Sequence, residues 1–485
     1  RPPIRLSSGR QCVTPDPRAR VTIAERERVE ARQVGVRGGR GVKSLQEVCL
    51  AVLGSRFESL FLRHAPHDLA TARYVVSPLE VLPHQVAARL LQAIAATSPH
   101  AARNLATLVL LFGPASPHLA LLDFSLAPAA ATPAALTWLA LPLGPPADSV
   151  RVLRFPNLTA LSLAGIRSLK TQVIDKLIAA YAGSTALTAL DLSGTGKAVR
   201  DSTVALIASS LPRLASLSLA DCNSVTCVAP LFVSLPCLAR LSLHGLLMVD
   251  DMGELPPGWT AASHASMLSL DLSACDAFAP STLKSVLGAE HMATLTSLAL
   301  GGCVQLDLGV LGQVAPAMPK LRRLNLAGLG SAPARRASAR RAFAAWLEEC
   351  NSLTALDMSG VTGDAGLAGL EALAAAGGMA PVSTLQLAHT QLSCTLLQTL
   401  FATPSMHLAE LDLTGCGLER RMVAAMAPGA SVPSLRSLAV RSCGLGARSC
   451  RMLVRIVVLY YPGLTRLDMA HNPELTDAAF ALSPA

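Results

Sequence analysis

Twelve cysteines give this 485-residue chain its widest chemical repertoire. A thiolate can serve as nucleophile, redox centre or metal ligand, provided that a base, a second thiol or further ligands stand nearby. The spacing supplies none of these. No C-x-x-C pair occurs, and Cys222 and Cys227 offer only a weak spacing. Cys222, Cys275, Cys303, Cys416 and Cys443 instead recur at one place, directly after an L-x-(L/V)-x-x stretch. A small polar side chain there can satisfy backbone groups where a strand turns into a loop, so a structural duty is expected. Gly194-Thr195-Gly196-Lys197 has part of a phosphate-binding loop, but Asp191 and Ala198 stand where that loop requires Gly and Ser/Thr, and the stretch reads as a turn. There is no H-E-x-x-H and no G-x-S-x-G. His244 and His389 fall near strand ends without ligand-like spacing. The expectation is a non-enzymatic chain that needs neither cofactor nor metal.

The elements that carry these residues repeat. The unit L-x-x-L-x-L-x-x-(C/N/T/aliphatic) starts regularly at Leu158, Leu187, Leu214, Leu238, Met267, Leu295, Leu321, Leu353, Val382, Leu408, Leu435 and Leu464, at a mean spacing of about 28 residues. Weaker copies start at Leu105, Leu119 and Leu136. Alternating Leu in L-x-L turns every second side chain of a short strand to one face. The later part of the unit has helical spacing, as in Thr203–Leu211 and Leu367–Leu373. One such strand and helix cannot bury their apolar faces alone, whereas stacked copies can, each buried Leu contributing roughly 1.5–3 kcal/mol. These units resemble leucine-rich repeats of the long, ribonuclease-inhibitor-like, cysteine-containing subclass. The resemblance implies an α/β leucine-rich-repeat solenoid, a horseshoe with a concave parallel sheet of about twelve strands and convex helices, preceded by a small helical N-terminal region.

Composition agrees with a packed chain. It is 51% hydrophobic, 15% charged and 4% aromatic, which excludes a disordered polymer and leaves few rings on which single-stranded bases could stack. The most apolar stretch, Leu105–Ala147, is interrupted by seven prolines, so no spanning helix is expected. Of the net charge of +9, +7 lies in residues 1–43, a basic arm expected to be disordered. The start at Arg1-Pro2-Pro3 without Met leaves room for a true start upstream. Arg335, Arg336, Arg340 and Arg341 are expected on an exposed helix face that buries Phe343, Trp346 and Leu347. Cysteines without a framework spacing point to a reducing compartment, cytoplasmic or nuclear. The organisation expected is an arm over 1–43, helices over 44–104, irregular repeats over 105–157 and regular repeats over 158–485.

Ahead of the repeats, Ser44-Leu45-Gln46-Glu47 forms a capping box that should open a helix. Leu45, Cys49 and Leu53 share one face of it, with Val52, Phe57 and Leu60 beside them. Leu82-Pro83 should open a second helix with Pro83 in its first turn and a stripe of Val86, Leu90 and Leu91. Ser44-Leu45-x-x-x-Cys49-x-x-x-Leu53 resembles a BC-box, and Leu82-Pro83-x-x-Val86-x-x-x-Leu90 resembles a cullin box. The order BC-box, cullin box, leucine-rich repeats is similar to that of Zyg/Zer-type and nucleotide-excision-repair-type substrate receptors of cullin–RING ubiquitin ligases. The resemblance implies that Leu45, Cys49 and Leu53 insert into elongin C and that Leu82, Pro83, Val86 and Leu90 face a cullin. The armadillo-like C-terminal region and zinc-binding segment of the Zyg/Zer type are not seen, so no substrate carries over. Two alternatives stay open. One is an F-box-like receptor bound to an SCF adaptor, with His84-Gln85 in place of the usual acidic start. The other is an interaction scaffold whose first helices only cap the core.

The concave face is the remaining candidate. The residue between the two Leu of L-x-L forms a column from Ser162 to Asp468, and charge gathers near its end in Glu410, Asp412, Arg436, Arg441, Arg466 and Asp468. A broad, mixed-charge bed suits a protein substrate rather than a small molecule, which needs an enclosed pocket. Nucleic acid is disfavoured as a partner, although the basic arm keeps a chromatin or repair role as a third reading, and no membrane is expected.

Overall fold

Short Leu-lined strands are the commonest element among the described residues. The computed structural model describes residues 45–62, 79, 82–112, 119–140, 155–246, 267–275, 294–303, 306, 311, 318–329, 343, 345–347, 349–361, 370–371, 381–402, 407–427, 434–473 and 475. The basic arm, Ser44 of the capping box and the Arg335–Arg341 cluster lie outside them, as does most of the stretch from 367 to 373. The chain divides into two units, one over Thr14–Leu255 and one containing Pro256–Ala485.

The first unit opens with helices α1 (Leu45–Leu60), α2 (His84–Thr97), α3 (Pro99–Arg103) and α4 (Leu105–Phe112). Strand β1 (Leu121–Asp123) and helix α5 (Pro133–Ala140) follow. Strands β2 (Ala160–Ser162), β3 (Ala189–Asp191), β4 (Ser216–Ser218) and β5 (Arg240–Ser242) then alternate with α6 (Thr171–Ala180), α7 (Asp201–Ser210) and α8 (Ala229–Ser234). All neighbouring pairs from β1 to β5 are parallel and keep one register, with Leu122, Leu161, Leu190, Leu217 and Leu241 in line. Those leucines are buried, as period-2 alternation requires.

The second unit repeats the scheme. It holds β6 (Ser269–Asp271), β7 (Ser297–Ala299), β8 (Arg323–Asn325), β9 (Ala355–Asp357), β10 (Thr384–Gln386), β11 (Glu410–Asp412), β12 (Ser437–Ala439) and β13 (Arg466–Asp468). Among the described residues, helices α9 (Cys394–Ala402), α10 (Arg420–Ala425) and α11 (Ala447–Tyr460) follow β10, β11 and β12. The strands are again parallel, and Leu270, Leu298, Leu324, Leu356, Leu385, Leu411, Leu438 and Leu467 form a second buried line. Each unit is therefore α/β leucine-rich-repeat structure, with an open parallel sheet and no closed barrel. No described helix is long and apolar enough to cross a membrane.

Two of the three weak copies are not strands. The one at Leu119 becomes β1, while those at Leu105 and Leu136 lie in α4 and α5. L-x-x-L is also the i, i+3 spacing of a helix, and Pro133 stands at the start of α5 where a missing N–H costs nothing. Thirteen strands thus appear among the described residues where about twelve were expected.

A left-handed residue closes every regular strand. The position two places after the last Leu (or its equivalent) of the unit has φ between +51° and +80° in all twelve copies, from Gly165 to His471. There the backbone N–H reaches the next repeat: Gly194 donates to the Ala220 carbonyl at 2.6 Å, and His389 to that of Thr414 at 2.6 Å. The ladder so outlives the three-residue strands. Seven of the twelve are Gly, and the others are Asp221, Ala274, His389, Ser442 and His471. At Gly415, a Cβ would also stand against the His389 ring. Gly415→Ala is expected to lose about 1–3 kcal/mol, and Ala274→Gly to gain about 0.5–1 kcal/mol, read from urea midpoints at constant m.

The repeated cysteines do what their position suggests. Cys222, Cys275, Cys303, Cys416 and Cys443 are all buried. Four of them donate Sγ–H to a backbone carbonyl of the preceding repeat: Cys222 to Leu192 at 3.3 Å, Cys303 to Leu272 at 3.1 Å, Cys416 to Leu387 at 3.0 Å and Cys443 to Leu413 at 3.1 Å. Asn472 takes the same place in the last copy and does more. Its Nδ2 donates to Val440 and Met469, and its Oδ1 accepts from the N–H groups of Cys443 and Leu445. All eleven described cysteines are free thiols.

Candidate docking face on the N-terminal helices

Helix α1 is apolar around most of its girth, so its packing depends on which stripe turns inward. Gly54 decides it. A Cβ there would stand 3.0 Å from the backbone carbon of Ala93, so only Gly lets α1 and α2 approach so closely. Leu50 and Phe57 lie on the same stripe, four residues before Gly54 and three after, and both are buried. On α2, the inward stripe is Ala87, Leu90, Leu91 and Ile94. A hydrogen bond from Arg89 Nη1 to Gln46 Oε1 at 3.1 Å ties the pair at its exposed edge.

Among the described residues, nothing covers the opposite stripe of α1. Val48 is 43% exposed, Val52 50%, Leu53 37% and Leu60 50%, and Cys49 stands exposed among them. These residues recur at the i, i+4 and i, i+1 spacings of one helical face. Leu45 falls on the same face by register, and its side chain lies outside the described set. Cys49 and Leu53 are thus where a partner could bury them. Phe57, expected beside them, sits on the inward face, because Gly54 commits that stripe to α2. Val48 was not among the residues anticipated from the sequence, although its spacing of four from Val52 was the available signal.

The second helix departs from its expected role in two ways. Pro83 is the residue before the helix rather than part of its first turn; its carbonyl accepts from Val86 N–H at 2.8 Å and Ala87 N–H at 3.0 Å. Leu90, expected to face a partner, is only 1% exposed and packs inward with Leu91 and Ile94. Its place four residues after Val86 matches a shared stripe, but that stripe is the one that meets the core. Pro83 remains exposed, and Leu82 and Val86 are half-buried.

The thiols differ correspondingly. Burial pushes Cys222 and Cys443 from the ordinary 9.0 up to about 11, and Cys350 up to about 12. They stay neutral donors near neutral pH and lack the thiolate needed for chemistry. A maleimide pulse at pH 7.5 should therefore label Cys49 first and reach Cys222, Cys350 and Cys443 only on unfolding, as read by peptide mass spectrometry. The raised folded-state values also fix a sign. Stabilisation from the neutral thiols is complete below about pH 9 and falls away as pH rises through 11 to 12. Urea midpoints should decline across that alkaline window.

The charged end of the sheet face separates into two columns. At the last strand position, Asp412 Oδ1 accepts from Thr414 N–H at 2.9 Å, and Asp468 Oδ1 from Ala470 N–H at 3.1 Å. Asp191, Asp271, Asn325 and Asp357 do the same to the residue two places on, at 2.9–3.0 Å. These side chains hold the strand-to-turn backbone. Asp468 is 9% exposed and also faces Arg441 Nε at 3.8 Å. Asp412 and Asp468 are therefore structural first, a role that their recurrence with a small residue two places later could have signalled. Glu410 and Arg466 start their strands and are exposed, as are Arg436 and Arg441. Among the described residues, no group of three or more His, Cys, Asp or Glu is placed to hold a metal.

No protein-family model matches the chain. No curated protein matches it either. Among solved structures, a chain of the crystal structure of the Rad7 and Elc1 complex in yeast is similar over 90% of this chain and 96% of its own length, at 15% identity and a TM-score of 0.47. The crystal structure of the leucine-rich repeat-containing protein LegL7 from Legionella pneumophila is similar over 67% of this chain and 88% of its own, at 17% identity and a TM-score of 0.31.

Proposed function

We propose that this chain is a non-enzymatic substrate receptor of a cullin–RING ubiquitin ligase, acting in the cytoplasm or nucleus. The outward face of α1 holds elongin C, the start of α2 meets a cullin through Leu82, Pro83 and Val86, and a protein substrate lies on the strand-starting column of the sheet face. The observation that carries this reading is the uncovered stripe of Val48, Cys49, Val52 and Leu53 on a helix whose other side is locked to α2 by Gly54. A helix that merely capped the repeats would turn its apolar residues inward. Here one stripe does so, and a second, carrying the BC-box-like positions, is left for a partner. A small thiol between aliphatic anchors suits a tight apolar pocket. The mechanism is effective concentration: a bound substrate keeps its lysines near the charged conjugating enzyme.

The test is calorimetric titration of the full chain with the elongin B–elongin C heterodimer. Saturable one-to-one binding supports the reading. No heat and no co-elution at tens of micromolar would leave the scaffold or the F-box-like alternative, and a parallel titration with the SCF adaptor separates those two.

A further inference from the structure

Helix α11 carries a second exposed feature, far along the sequence from α1. Its inward stripe is Cys450, Leu453, Ile456 and Val457, all buried. Its outward stripe starts with Arg448, Arg451 and Arg455, spaced by three and four residues so that they line one face. The helix contains no Asp or Glu. Among the described residues no carboxylate pairs with any of the three; Arg451 Nε only reaches back to the Ala447 carbonyl at 3.4 Å. The neighbouring helix α10 packs on α11 and adds the exposed Arg420. The one acid at its start, Glu419, is taken up by Arg421 at 2.7 Å. Beyond residue 43 the chain carries a net charge of only +2, so three guanidinium groups on one 14-residue helix, without a carboxylate partner among the described residues, are a local concentration of charge.

The row does not end in charge. Val458 is 44% exposed and Leu459 is 68% exposed, the largest value among the described exposed large hydrophobics. The outward face therefore reads basic, basic, basic, aliphatic over about 16 Å of helix. A nucleic-acid backbone would match the guanidinium groups and leave Leu459 in water. An anionic membrane would need an apolar face several residues wide, and that face of α11 is spent on the repeat core. An acidic protein segment carrying a bulky apolar residue satisfies both halves: its carboxylates pair with the Arg row, bidentately where geometry allows, and its apolar side chain covers Leu459 and Val458.

We infer that the outer face of α11 is a docking site for an acidic, leucine-bearing peptide segment of a partner protein. It is independent of the elongin C reading, since it uses no residue of α1 or α2.

Fluorescence anisotropy with the full chain tests it. The probe is a labelled twelve-residue peptide of Asp and Glu with two Leu, and the controls are the same peptide with Ser for Leu, a 20-base-pair DNA duplex, and phosphatidylserine vesicles. The expected result is micromolar binding of the Leu peptide. It should weaken at least tenfold in R451E/R455E, severalfold in Leu459→Ser and with added salt, and stay unchanged in Cys49→Asp. Circular dichroism confirms that each variant folds, and R451Q/R455Q replaces the Glu pair if that one does not. Equal affinity for the Leu and Ser peptides, tighter binding of duplex or vesicles, or indifference to the Arg and Leu459 substitutions overturns the inference.

Discussion

Cys49→Asp combined with Leu53→Asp should abolish elongin C capture while leaving the chain folded. Both side chains are exposed in the free protein, so the charges stay in water and the melting temperature should move by no more than a degree or two. In the complex, both carboxylates would be stripped of water inside an apolar pocket with no partner charge. Loss of two central anchors together with that desolvation should cost more than about 4 kcal/mol, or upwards of a thousandfold in affinity. Calorimetry and a thermal melt on the same sample read both quantities. Phe57→Ala is the opposite control. Phe57 is wholly buried between α1 and α2, so its truncation should cost about 3–5 kcal/mol and loosen the pair. If the double Asp variant binds as well as the wild type, α1 is not the docking element. If it melts far below the wild type, the outward stripe was serving the fold.

Asn472→Ala should be the costliest single change at the cysteine position of the repeats. Four of the five cysteines there serve a carbonyl of the preceding repeat with a weak donor, whereas Asn472 serves four backbone groups in a site 6% exposed. Truncation leaves the N–H groups of Cys443 and Leu445 without an acceptor side chain, and the carbonyls of Val440 and Met469 without a donor. The expected loss is about 3–5 kcal/mol, against about 1–2 kcal/mol for Cys222→Ala. Hydrogen exchange gives the local signature: the Cys443 and Leu445 amides should lose protection far more than the Leu217 amide in the first unit. Equal loss everywhere, or none, would mean that the side-chain clamp does not hold the last repeats.

Much of this architecture could be read from the amino acids because the repeat fixes register by itself. With Leu at alternate places, a one-residue slip would turn the whole apolar line outward, so the Leu161 and Leu298 lines had one solution. Where the pattern was ambiguous, reading failed for a definable reason. LATLVLLF satisfies both a strand run and a helix, and the copy at Leu105 became α4. On α1, both an inner and an outer stripe are apolar, so hydrophobicity could not choose between Phe57 and Cys49. The lone Gly54 could have chosen, as a helix-interior glycine marks close approach. The cullin-box resemblance turns Leu90 outward, but a motif does not say what lies opposite, and here the core does. Asp412 and Asp468 looked like recognition groups because a carboxylate at a strand end is equally suited to solvent and to its own turn.

The two outward columns of the sheet face also divide the tasks of conservation and change. Residues at the strand ends are tied to the chain's own amides, so altering them threatens the architecture before it alters recognition. Residues at the strand starts, such as Glu410, Ser437 and Arg466, stand side by side in register and hold no turn in place. In the proposed receptor, a new target is accommodated by rewriting that single line of neighbouring side chains, copy by copy, while the scaffold beneath it remains as it is.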